Sequence, residues 1–406
     1  MRAEGCDTAP RGVTEHRGHH TALLWSGAAV ATIAVVAAVV LLRPHVRETT
    51  SQRDLTVPSP QTVLRSPNIK TAYFLDMTSR KTGWMAWGSV HEQGEPAVAR
   101  TTDQGRRWIN VTPRTDLVGS KLSLTPIGAR KAFLVVIRPG KSAIVYVTTD
   151  GGKTWMQGKR VPVLYGDGGA YLATRGRDVW LEVGGGAHNE AAQLFTSRDG
   201  GMTWRLVAKH APNGSGTLPG FGWLVFTSAQ DGFTCSNFGN AGIFRTGNGG
   251  TAWTPVSPGH FKQVDLPKFT QEDGLAAVYL NSSLFPFPEF LRTTNGGQTW
   301  SIVAVPNLTP QSSMVGNADV LTAETALFVD IAGDIHRTTN GGLSWQTISS
   351  GASSKSLLQH NVIVYLSFSS QRVGWAVMVA RSVRLQGPQT LYLTTDGGRS
   401  WTEVAK

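Results

Sequence analysis

The stretch TTDGGKTW at residues 148–155 decides how this chain is read. A Thr-Thr pair leads into an acid, two glycines and, after a short polar step, a tryptophan. An Asp side chain here can accept backbone N–H groups a few residues on and close a tight turn. The glycines supply positive φ where a Cβ would clash. The Thr before the Trp can bond back across the turn, while the indole packs beneath it. The octet therefore specifies a hairpin between two strands.

The same octet recurs along the chain. It reads TTDQGRRW at 101–108, SRDGGMTW at 197–204, TGNGGTAW at 246–253, TTNGGQTW at 293–300, TTNGGLSW at 338–345 and TTDGGRSW at 394–401. The seven tryptophans are Trp108, Trp155, Trp204, Trp253, Trp300, Trp345 and Trp401, spaced by 47, 49, 49, 47, 45 and 56 residues. The turn acid is Asp103, Asp150, Asp199 or Asp396 in four copies and an amide, Asn248, Asn295 or Asn340, in three. Asn keeps the acceptor oxygen and loses the charge, so the position serves hydrogen bonding, not acid–base or metal chemistry. A second signal precedes each turn by about 20–25 residues: a small or acidic residue followed by an apolar run, as in TGWMAWG (82–88), DVWLEVG (178–184) and VGWAVMV (373–379). With an inner strand such as IKTAYFLD (69–76) and an outer one such as WTEV (401–404), each repeat supplies four antiparallel strands. A period of 45–56 residues with four strands is one propeller blade. Residues 67–406 hold seven such units with nothing substantial left over. The expected fold is an all-β, seven-bladed propeller.

These turns are similar to the Asp-box, or BNR, repeat. The full unit resembles the photosystem II stability/assembly factor-like propellers of bacteria and plastids. That resemblance implies the propeller fold and a non-catalytic binding or assembly role. Sialidases share the Asp box and form the enzymatic alternative. Their Arg-Ile-Pro-like motif has no counterpart in the first blade, where the nearest similar run, Ile137-Arg138-Pro139, lies one blade late. Glycoside hydrolysis needs two carboxyls about 5–10 Å apart. The adjacent Glu272 and Asp273 sit in a turn between strands and read as solvated acids. No serine-nucleophile, phosphate-loop or dinucleotide motif is present. No catalytic residue, cofactor or metal site is expected.

Ahead of the repeats, Ala22–Leu42 is a 21-residue run without charge. As a helix at about 1.5 Å per residue it would span a bilayer core. It ends in Leu-Leu-Arg-Pro, a poor cleavage site, so a retained signal-anchor is expected, not a removed signal peptide. The expected organisation is a short tail at 1–20, an anchor helix at 21–43, a Pro-containing linker at 44–66 and the propeller at 67–406. Three arginines lie on either side of the apolar run, so charge bias does not orient it. A lone N-terminal anchor before a folded domain favours a propeller outside the cytoplasm.

The chain carries 38 Lys and Arg against 27 Asp and Glu, a net charge of +11. Residues 1–54 account for +1 of this, leaving +10 on the propeller. Turns joining the first and second strands carry Arg80 and Lys81, Arg130 and Lys131, and Arg175 and Arg177 in blades one to three. Blades four to six carry Asp231, Glu272 and Asp273, and Glu324 at the equivalent places. A basic arc facing an acidic one suits docking of an acidic protein or an anionic polymer, since fields of one sign steer association. No basic run interleaved with aromatic residues supports nucleic acid as a partner. A monomeric ring is expected. On the other face, the loop NSSLFPFPEF (281–290) offers Phe285, Phe287 and Phe290 as contact residues, with packing onto their own blade the simpler role.

Overall fold

The computed structural model describes residues 56–404, except 65–71, 88–95, 139, 165–168, 186–190, 213, 237–241, 262, 280–287, 306–317, 331–333, 349–350 and 381–388. The anchor run, the linker up to residue 55, Phe285 and Phe287 lie outside the described residues. Among the described residues no helix is long and apolar enough to cross a membrane.

Seven antiparallel sheets follow one another along the chain, each with its four strands in sequential order. Blade three shows the plan: Gly169–Arg175 inside, then Asp178–Gly184, Ala192–Ser197 and Arg205–His210 outside. Blade seven runs Asn361–Phe368, Gly374–Ala380, Gln389–Thr394 and Thr402–Glu403. Blade one, Ala72–Asp76 to Trp108–Asn110, is equally made of consecutive strands, so no strand is exchanged to close the ring. The second strand is the most deeply buried in each blade, because it is covered by a neighbouring blade on both faces. Trp84, Phe133, Trp180, Phe233, Phe328 and Trp375 on these strands are essentially inaccessible.

Closure of the ring is visible at atomic level. Trp375 Nε1 of blade seven donates to the Gln104 carbonyl in blade one at 3.0 Å, and Met77 N of blade one donates to Ser367 Oγ at 3.1 Å. The same indole bond joins Trp180 to Gly249 (3.2 Å) in the next blade, while Trp84 reaches instead the Gly128 carbonyl (3.1 Å) in the first-to-second-strand turn of blade two.

Blades one and two have more than four strands. Thr62–Leu64 pairs with Trp108–Asn110 on the outer edge of blade one. Thr56–Pro58 pairs with Thr154–Gln157 on the outer edge of blade two. Part of the stretch read as linker therefore belongs to the propeller, where Thr62–Leu64 covers an outer edge. Such three-residue edge strands carry too little alternation to register in sequence. The crossing between them is pinned by Ser59 Oγ and Gln61 Nε2, which both donate to the Gly152 carbonyl, at 2.5 and 3.1 Å. One nine-residue helix, Ala352–His360, sits between blades six and seven. Phe290 is buried within blade five and packs on Trp345 at 4.7 Å between ring centres, so its role is internal packing.

Candidate binding face

Each repeat turn is closed by its first residue. The hydroxyl of Thr101, Thr148, Ser197, Thr246, Thr293, Thr338 or Thr394 donates to the turn carboxylate or amide oxygen at 2.7–3.0 Å. It also accepts the N–H of the second glycine at 2.8–3.0 Å. These hydroxyls are all buried, and sequence reasoning passed over them. The turn oxygen reaches three and four residues on: Asp199 Oδ1 accepts Met202 N–H at 3.0 Å, Asp150 Oδ1 accepts Thr154 N–H at 3.1 Å and Asn340 Oδ1 accepts Ser344 N–H at 2.9 Å. The hydroxyl before the tryptophan does bond back. Thr154 Oγ1 donates to Asp150 Oδ2 at 2.7 Å, whereas Asn295 Nδ2 reverses the polarity and donates to Thr299 Oγ1 at 2.9 Å.

In every blade this turn lies beside the one joining the first and second strands. The backbone N–H of Gln104, Gly151, Gly200, Gly249, Gly296, Gly341 and Gly397 donates to the carbonyl of Lys81, Arg130, Arg177, Gln230, Glu272, Glu324 and Arg372 respectively, at 2.8–3.0 Å. Seven equivalent bonds bring both sets of turns to one face. The expected charged positions are thus in register around the ring. Arg372 of blade seven joins them, which sequence reasoning missed, since blade seven adjoins blade one only once the ring is closed.

The basic arc accordingly runs through blades seven, one, two and three. Their paired turns hold twelve Lys and Arg and five Asp, whereas those of blades four to six hold four acids and no base. Arg80, Lys81, Arg130, Arg175, Arg177 and Arg372 are all exposed, and their side chains make no hydrogen bond or ion pair among the described residues. Lys131 is half-buried, its ammonium 5.3 Å from the centre of the Phe133 ring. Arg100 lies over Trp84 at 5.6 Å and donates to the Ala129 carbonyl at 2.8 Å. Burial, then the charge of Arg130, lowers the affinity of Arg100 for its proton.

Three of the four acidic positions have side-chain partners. Asp231 pairs with Arg245 at 2.6 Å and Asp273 faces Arg292 at 3.6 Å, while Glu324 accepts the Thr322 hydroxyl at 2.8 Å. Two of the four acids are therefore paired with third-strand arginines of their own blades, whereas in the basic arc Arg107 pairs with Asp103 at 2.9 Å, Arg399 donates to the Asp396 carbonyl at 3.1 Å, and the cations of the first-to-second-strand turns stay unpaired among the described residues. Glu272 is exposed, and the Glu272–Asp273 pair lies in the expected turn. Among the described residues no group of His, Cys, Asp and Glu is arranged to hold a metal.

Sequence reasoning also passed over three carboxyls near the ring axis. Asp76, Asp265 and Asp319 come from the innermost strands of blades one, five and six, with Lys268 of blade five among them. Pro267 helps break the blade-five inner strand into Gln263–Val264 and Lys268–Thr270, and Asp265 lies in the break. Asp265 is satisfied by the Tyr279 hydroxyl at 2.5 Å and Gln263 Nε2 at 2.9 Å. Asp319 Oδ2 accepts the Phe368 N–H at 2.5 Å. Burial raises the Asp319 carboxyl to about 7, against the opposing pull of the Phe368 N–H and of Lys268. Asp76 is raised as well, by burial against the counter-effect of Lys268.

No protein-family model matches the chain. In an alignment 254 residues long that covers 52% of this chain, it is 22% identical to a xyloglucanase from a Paenibacillus species, and the match spans 24% of that protein. The chain thus spans about a quarter of the curated relative it matches. Among solved structures, YCF48 bound to a D1 peptide superposes with a TM-score of 0.53 at 17% identity, covering 85% of this chain and 99% of that one. This propeller resembles the photosystem II assembly factor YCF48. YCF48 from Cyanidioschyzon merolae gives a TM-score of 0.47 at 15% identity, over 70% of this chain and 85% of its own. At such identities the likeness is one of fold.

Proposed function

We propose that this chain is a membrane-tethered, non-catalytic propeller whose turn face docks an acidic protein or an anionic polymer at the cell surface. The observation that carries the reading is the set of exposed, unpaired cations Arg80, Lys81, Arg130, Arg175, Arg177 and Arg372 in the first-to-second-strand turns of blades seven, one, two and three. Exposed cations that no neighbour neutralises raise the local potential and speed encounter with a partner of opposite sign. A polypeptide partner agrees with the likeness to YCF48, a propeller seen with a peptide bound. The uncharged run at 22–42 would hold the ring at a membrane, with its Pro-containing sequel as spacer.

Charge reversal at Arg80, Arg130 and Arg175 tests the docking face. These exposed positions carry no structural bond, so the triple variant folds normally and loses the partners that co-purify with the native chain. Retention of every partner by the folded variant overturns the reading. Protease added to intact cells tests the tether: the propeller is digested if exported and protected if cytoplasmic.

The similarity to a xyloglucanase supports a second reading, a glycosidase-like hydrolase on the same ring. Turnover of xyloglucan or of a fluorogenic glycoside by the purified chain would replace the scaffold reading.

A further inference from the structure

The axis of the ring is hollow. One cavity of about 670 Å³ is lined by inner strands of blades one to five and includes Phe74, Asp76, Phe221, Trp223, Asp265 and Lys268. A second, of about 450 Å³, is lined by blades one, five, six and seven and includes Asp76, Lys268, Asp319 and Phe368. Asp76 and Lys268 line both, so the two cavities adjoin at that pair. Asp76 ends an inner strand just before the turn carrying Arg80, which puts this junction towards the face described above. A volume in this range suits a small organic ligand, and a mostly apolar lining with a few convergent polar groups is how such sites are built.

The charges are unbalanced. Three carboxyls share the site with one ammonium, and Lys268 is exposed and forms no ion pair among the described residues. Asp265 is fully engaged by Tyr279 and Gln263 and reads as structural. The other two are not. The Asp76 carboxylate accepts no hydrogen bond among the described residues, and Asp319 uses only Oδ2, its Oδ1 having no partner among them. Protein surrounds Asp319 except where it meets the cavity. An open carboxylate oxygen in such a setting gains most from a hydrogen-bonded cation. The aromatic rings of Phe74 and Trp223 in the adjoining cavity can face an ammonium group or cover an apolar chain.

We propose that the axial cavity binds a small aryl-alkyl amine, its ammonium group held between Asp76 and Asp319 and its apolar body laid against Phe74 and Trp223. The site is separate from the basic arc and takes a ligand of opposite charge, so the two proposals fail independently. Binding is linked to protons through Asp319. The charged or titratable groups facing that carboxyl are Lys268, Asp76, Asp265 and Tyr279. Below about pH 7 Asp319 takes up a proton and its attraction for a cation disappears, so amine affinity falls as pH drops from 8 to 6.

The test is calorimetric titration of the full chain in detergent with phenethylamine, against 2-phenylethanol as a neutral probe of similar shape. The amine binds saturably and the alcohol does not. Asp76→Asn, which sacrifices no hydrogen bond of the fold, weakens amine binding about tenfold or more. Lys268→Met removes a competing positive charge from an exposed position and strengthens it several-fold, a gain that a structural role for the lysine does not produce. The alcohol binding as tightly as the amine, an unchanged affinity in Lys268→Met, or no saturable binding of phenethylamine overturns the proposal.

Discussion

Blades seven, one, two and three and blades four, five and six are built on one plan and differ in what they carry. In both groups the buried first hydroxyl bonds the second glycine, and the first glycine, or Gln104, bonds the neighbouring turn. Yet the turn acceptor is Asp throughout the first group and Asn throughout the second. The repeat turns of the first group each add at least one Lys or Arg, and those of the second add none. Since Asn340 Oδ1 accepts the same backbone N–H as Asp150 Oδ1, folding requires only the oxygen. The charge at this position adds stability but is not needed for the turn to form, and the Lys and Arg around it are free to serve recognition.

If that separation holds, a structural lesion must cost the same in both groups. The second glycine of each turn points at the preceding blade. A Cβ at Gly152 would come within 2.6 Å of Val111 Cβ, and one at Gly342 within 3.0 Å of Val303 Cγ1, both at positive φ. Gly105 faces Leu391 of blade seven at 2.9 Å, the same relation carried across the seam. Gly152→Ala and Gly342→Ala therefore each destabilise the ring by about 2–4 kcal/mol, from backbone strain plus overpacking. Urea denaturation of the two variants checks this. A large loss in only one of them would break the equivalence of the two groups.

That equivalence was legible in sequence because the turn octet is local: its glycines and its closing side-chain hydrogen bonds fall within eight residues. Blade number and strand order follow from its spacing. What depends on neighbours in space was hidden. Arg372 joins the arc only through closure, and Asp231 and Asp273 lose their free charge to Arg245 and Arg292 on the adjacent strand. The axial carboxyls were the least visible. Asp319 lies in a two-residue inner strand and Asp265 in a strand break, where no period marks the position.

Acid sharpens the comparison between carboxylate and amide turns. Partial burial pushes Asp150 upward, but bonds from the Thr154 hydroxyl, the Thr154 and Lys153 N–H groups and the Thr148 hydroxyl outweigh it and hold the carboxyl below its ordinary range. Asp103, Asp199 and Asp396 are held low in the same way. A depressed folded-state value means that this stabilisation is complete above the unfolded value of about 4 and is lost as pH falls through the folded one. Asp150→Asn, which gives blade two the amide turn of blades four to six, is therefore less stable than the native chain at neutral pH. The difference narrows as pH is lowered from about 5 towards 2.5. Thermal melts of both proteins across that range report it, and a constant gap would show that the carboxylate charge contributes nothing.

The smallest effect concerns the one turn that departs from the rule. Blade one has Gln104 where the other six have the first glycine, and it holds φ at +70°. A side chain in that region costs roughly 1 kcal/mol, while glycine costs entropy in the unfolded chain. The carbonyl of Gln104 accepts the Trp375 indole across the seam, and its N–H donates to Lys81; both are backbone bonds that survive substitution. Gln104→Gly should therefore stabilise the ring slightly, by about 0.5 kcal/mol, as read from the denaturation midpoint. The strain sits in the most basic of the seven turns, TTDQGRRW, in the centre of the charged arc. A stabilised Gln104→Gly variant that binds its partner less well would mean that the side chain is kept for recognition. A variant that is less stable would instead place Gln104 among the residues the fold itself requires.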